Sequence, residues 1–161
     1  MEINPIQVHL AINHYPIFGL LIGTVLLLVA TLMKSKVLLK ASMLLIVSVG
    51  LVGIPVFFSG EESEEKVEHQ KGYSEHYLEE HEELGETAYQ AGLILSAFAL
   101  VLFLLEHISG KNFQLANWLL FLSCLIVLGI YYLTATHGGK IRHSEIRGDA
   151  ISTELIQEHS D

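Results

Sequence analysis

Four apolar runs, at about 12–33, 37–58, 88–105 and 115–136 and free of charge apart from Lys40, alternate along the chain with stretches rich in Lys, Glu and His. At 1.5 Å of rise per residue each run is long enough to cross a hydrocarbon core of about 30 Å. Backbone polar groups in lipid must bond to one another, and runs of this length without strand-like alternation do so as helices. The pattern predicts an all-α fold: an integral membrane four-helix bundle, a single membrane domain over 1–161 whose first partner is the lipid bilayer. A helical loop at 59–87 joins spans two and three, and a tail at 137–161 follows span four.

The first run lacks a basic leading region and a small-residue cleavage site, so it is expected to remain as a span rather than be removed as a signal peptide. Lys34 and Lys36 lie between spans one and two, Lys40 lies in the first turn of span two, and Lys111 lies between spans three and four. By the positive-inside rule both connections face the cytoplasm, which puts both termini and the 59–87 loop outside. Lys140, Arg142 and Arg147 run against the rule. The expected location is a bacterial inner membrane, multi-pass.

Composition agrees: 51% of the 161 residues are hydrophobic and 17% charged, with a mean hydropathy of +0.46. The formal charge of −9 argues against nucleic acid as a partner, because phosphates need clustered cations. Divided by the expected membrane sides, the outer face carries five Lys and Arg against 17 Asp and Glu, net −12, and the inner face is net +3. Eight of the nine histidines fall on that acidic face, all but His107. The single cysteine, Cys124, leaves no internal disulfide and no cysteine-cluster metal site. The tyrosines suit an interfacial aromatic belt.

Small residues mark helix contact faces in membranes, where close approach replaces hydrophobic burial. Gly19 and Gly23 form a GxxxG spacing that suits packing within the chain or a homo-oligomer of two copies. Gly85, Ala88, Gly92, Ser96 and Ala99 form a stripe on one face of span three, and one turn further out that face reaches His81. Pro55 is expected to kink span two near its outer end. Within the 59–87 loop, with 11 Glu and two Lys, Glu61 to Gln70 and Ser74 to Glu86 read as helix interrupted at Gly72.

Four segment ends meet at the outer end of such a bundle, and each carries ligand-type residues. Span one starts with His9 and His14, and Pro16 suits a first helical turn just after His14. Span two leads into Glu61 and Glu65, and span three is entered through His81 and Glu82. Span four leaves through His137, a Gly138-Gly139 pair expected to end the helix, then His143 and Glu145.

The segments His9-x4-His14-Tyr15-Pro16-Ile17, Ser59-Gly60-Glu61 with Glu65 and Glu68, His81-Glu82-Glu83, and Gly138-Gly139-Lys140-Ile141-Arg142-His143-Ser144-Glu145 resemble an uncharacterised bacterial family of four-helix predicted membrane proteins. That family opens with a His-Pro-x-x-Val-His-Phe-Pro-Ile-like segment and closes with a Gly-Gly turn and a polar signature. Leu10 stands here where the family has proline, and the Ile-Arg-His ending replaces a commoner Leu-Val-Tyr. The resemblance implies the four-helix plan and no activity.

Imidazole and carboxylate without thiolate suit a non-haem transition metal such as Cu, Fe or Zn. The expected metal set is His9, His14, Glu61, Glu65, His81, Glu82, His137, His143 and Glu145. The alternative cofactor is haem b, with His14 and His137 as axial ligands. A histidine at a membrane interface also serves as a plain snorkelling end group, the simple reading for His9, His69, His76 and His159. The function expected is electron transfer or metal-dependent redox chemistry with a redox partner protein at the outer face. A second class is a b-type cytochrome, and a third a non-catalytic subunit whose acidic cap binds a partner. No nucleotide-binding loop or nucleophile elbow is present.

Overall fold

The computed structural model describes residues 4–67 and 74–147. They form α1 (Pro5–Ile12), α2 (His14–Met33), α3 (Lys36–Val67), α4 (Glu75–Ser109), α5 (Gln114–Arg142) and a single turn α6 (Ser144–Arg147). The four long helices are each apolar and long enough to cross a membrane, and they contain the four apolar runs of the sequence. Neighbours α2–α3, α3–α4, α4–α5 and α5–α2 pack together and the diagonal pairs do not, so the bundle is a closed ring of four.

A short helix precedes the first span. Pro5 opens α1, and the Asn4 side chain accepts the Ile6 N–H at 3.1 Å, a start that needs no earlier turn. The Ile12 carbonyl would next bond residue 16, but Pro16 has no N–H. The helix therefore breaks at Asn13, and α2 begins at His14. Asn13 keeps right-handed helical angles (φ −61°, ψ −24°), and α1 packs along α3.

The α2–α3 corner turns at Lys34 (φ 53°) and the α4–α5 corner at Gly110 (φ 65°), both left-handed C-caps. The 32 residues of α3 extend about 48 Å and the 35 residues of α4 about 52 Å. Both exceed the hydrocarbon thickness. Their acidic ends therefore stand beyond the apolar region as a helical pair, as expected for 59–87. Gln70 and Gly72 lie outside the described residues. Pro55 sits within α3, which continues to Val67.

The interior is packed by Leu20, Leu27, Met43, Ile46, Val49, Leu95, Ala99, Leu120 and Cys124, while Ile22, Leu51, Ile94, Val101, Leu122 and Ile126 are exposed. A girdle of bare aliphatic side chains suits lipid and would be costly in water. The glycines set helix spacing. A β-carbon at Gly19 would stand 3.1 Å from Val49 Cγ2, and one at Gly23 would stand 3.0 Å from Ile46 Cγ1, so the GxxxG pair is used inside the chain, between α2 and α3.

Between α3 and α4 the buried Ser96 hydroxyl is inserted into the backbone ladder of α3. It donates to the Ile46 carbonyl at 2.9 Å and accepts the Gly50 N–H at 3.0 Å. Ala88, Gly92, Ser96 and Ala99 are all buried, which confirms the small-residue face of span three.

Candidate functional site

At the end of the bundle opposite the Lys34 and Gly110 corners, two histidines are held in the same way. His9 on α1 rests against Gly60 of α3, with Cε1 and Nδ1 each 3.2 Å from where a β-carbon at Gly60 would stand. Its Nδ1 lies 3.0 Å from the Val56 carbonyl, four residues before that glycine. His81 on α4 rests against Gly138 of α5, with Cε1 at 2.8 Å and Nδ1 at 3.1 Å. Its Nδ1 lies 2.9 Å from the Thr134 carbonyl, again four residues before the glycine. The absent side chain lets the ring reach the carbonyl one helical turn back.

A carbonyl only accepts, so Nδ1 carries the proton in both rings, and in a neutral imidazole the lone pair is then on Nε2. Metal-ligating histidines are commonly oriented by such a bond from the other ring nitrogen. Both rings are partly buried, and they are within electrostatic reach of each other, His137 also being near His81. Yet α1 and α4 do not pack on one another. His9 is thus socketed on α3 and His81 on α5, the two diagonal helices, at the same end of the bundle.

Tertiary ties fix the His81 socket. Thr134 Oγ1 reaches the Leu84 carbonyl at 3.2 Å and that of Ile130 at 3.0 Å. The Ser74 N–H donates to the Ile141 carbonyl at 3.0 Å, and the Lys140 ammonium lies 5.2 Å from the Tyr77 ring centroid. These contacts explain why Gly138-Gly139 does not end span four as expected. The pair is helical and α5 runs on to Arg142. Two glycines in a helix cost about 2 kcal/mol relative to alanine, but the α4 contacts compensate and Gly138 supplies the space that His81 occupies.

The other expected ligands are placed differently. His14 is exposed and stacks on Phe18, centroids 6.5 Å apart, on the outside of α2. His137 has Nδ1 2.9 Å from the Leu133 carbonyl and Nε2 3.4 Å from Glu80, so both its nitrogens face acceptors. His14 and His137, the axial pair expected for haem, therefore do not share the socketed geometry of His9 and His81. Glu80 also meets His76 Nε2 at 3.5 Å.

Glu61, Glu65 and Glu82 line an acidic groove together with Glu62, Glu79 and Phe58. His143 and Glu145 bond to each other at 2.7 Å on an exposed turn. A bond to its own backbone, then the His143 contact, holds the Glu145 carboxyl below its ordinary range. His69 and His159 lie outside the described residues. Among the described residues no three His, Cys, Asp or Glu side chains form a group able to hold a metal ion.

The stripe of small residues points to His81, whereas Gly138 reads as a helix end and Gly60 carries no role in the sequence pattern. Their signal was available: a glycine inside a long apolar or charged helical stretch points to a close approach by another group. Val56 and Thr134 contribute only carbonyls, and no residue type announces that. Comparison with known proteins adds nothing to this geometry, since no family model, no curated protein and no solved structure matches the chain.

Proposed function

We propose that this protein is a membrane electron-transfer protein whose redox group would be a b-type haem held by His9 and His81. The observation that carries the reading is the pair of identical sockets: two imidazoles oriented by Nδ1–H bonds to backbone carbonyls, each with its lone pair on Nε2. Two imidazoles complete an iron whose other four positions are filled by a porphyrin, whereas a non-haem metal needs further protein ligands. Haem supplies one-electron chemistry; the chain's part is to hold the group and set its exposure.

In this reading the histidine end faces the periplasm of a bacterial inner membrane, following the lysines of the opposite corners. The acidic groove beside it would receive the basic surface of a soluble redox partner. A second reading keeps a non-haem Cu, Fe or Zn site, supported by the chemistry of the imidazole and carboxylate donors at this end of the bundle.

An absorption spectrum with elemental analysis of protein purified from membranes in mild detergent tests both. A Soret band with a sharp reduced α band and one iron per chain supports haem. Stoichiometric metal without a Soret band supports the second reading, and neither result leaves the acidic groove as a partner-binding scaffold.

A further inference from the structure

At the other end of the bundle, the α2–α3 and α4–α5 corners enclose a cavity of about 100 Å³ lined by Lys36, Lys40, Glu106, His107, Lys111 and Asn112. A single water needs only roughly 10–15 Å³ by the same measure, so a four-oxygen phosphate group fits. The lysines are held in place. Lys36 Nζ donates to the Gly110 carbonyl at 2.9 Å. Lys40 Nζ lies 3.1 Å from His107 Nδ1, and because an ammonium only donates, that nitrogen accepts and the neutral His107 ring carries its proton on Nε2.

Each of these two ammoniums spends one of its three N–H groups this way. Among the described residues none of Lys36, Lys40 and Lys111 is ion-paired with a carboxylate. Glu106, the one carboxylate in the cavity, is buried, and its Oε1 accepts from the Phe113 N–H at 2.8 Å and from Asn117 Nδ2 at 3.0 Å. The cavity is thus a cluster of cationic donors with its anion already bonded elsewhere.

Its surroundings point to the source of the ligand. Val37 and Ile108, sequence neighbours of Lys36 and His107, are 78% and 82% exposed, so the cavity sits where the bare aliphatic girdle gives way to charge. That is the depth of lipid phosphates. We infer that this cavity binds the phosphate of an anionic phospholipid, with Lys36 and Lys40 on its oxygens and acyl chains along Val37 and Ile108. The inference is independent of the haem reading and of which membrane face this end occupies.

Native mass spectrometry of the detergent-purified full chain tests it, with added phosphatidylglycerol, phosphatidylcholine or inorganic phosphate. The expected result is one retained phosphatidylglycerol per chain in preference to phosphatidylcholine. Each lysine near an anionic surface is worth about fivefold in binding, so Lys36→Gln with Lys40→Gln should weaken retention about 30-fold. Lys34→Gln, in the same corner but outside the cavity, should leave retention unchanged, and Lys36→Arg with Lys40→Arg should keep most of it. Melting curves of all variants establish that they fold. Equal retention of the two lipids, an equal loss in Lys34→Gln, or binding of inorganic phosphate without phosphatidylglycerol would overturn the inference.

Discussion

The His81 ring lies against Gly138, its Cε1 only 2.8 Å from where a β-carbon would stand. Alanine is the better helix former by about 1 kcal/mol, so Gly138→Ala should leave α5 intact or firmer while pushing the imidazole off the Thr134 carbonyl. Haem-to-protein absorbance should fall to a small fraction of wild type in this variant. Gly60→Ala, facing His9 at 3.2 Å, should give a partial loss.

Tyr131 of α5 places its hydroxyl against the α4 backbone at Gly92, and the next ring atom, Cζ, is 3.4 Å from a β-carbon there. Gly92→Ala should therefore separate α4 from α5 and destabilise by about 1–3 kcal/mol. Tyr131→Phe removes the clashing oxygen, so the double variant should recover most of the loss. Unfolding in mixed micelles across the mutant cycle measures the coupling.

Asn117, 1% exposed, donates to the buried Glu106 carboxylate and to Asn112. Asn117→Leu removes one donor from a buried charge and should cost about 2 kcal/mol. Asn117→Asp should cost more, since it sets a second carboxylate against Glu106. Equal stability of the two variants in the same micelle assay would contradict this account of the corner.

The helical plan was legible because apolar run length and backbone hydrogen bonding leave a membrane chain few choices. The acidic helical pair and the small face of span three followed from composition and spacing. The site was only half legible. His81 lay on a predictable face, but His9 depends on the packing of α1 along α3 opposite Gly60, which nothing local in the sequence announces. Gly138-Gly139 was misread because a glycine pair signals a turn when nothing is known of what packs on it. Glu61, Glu65, Glu82, His143 and Glu145 share an end of the bundle without sharing a centre, and chain order does not separate those two cases.

Acid should release the redox group. Both histidines ligate only with Nε2 unprotonated, and protons compete for that lone pair. Burial holds both imidazoles below their ordinary range. In the haem reading occupancy should therefore hold from about pH 8 through about pH 6 and decline only toward about pH 4, reversibly if the bundle stays folded. Retention unchanged over that range while far-ultraviolet dichroism is constant would argue against histidine ligation.

The central claim is that His9 and His81, rather than His14 and His137, hold the cofactor. The most direct measurement is the reduced-minus-oxidised spectrum, normalised to protein, of His9→Ala, His81→Ala, His14→Ala and His137→Ala purified in parallel. The account predicts a haem spectrum in wild type that is abolished in the first two variants and retained in the last two. No haem band in wild type, or equal retention in all four variants, would contradict it.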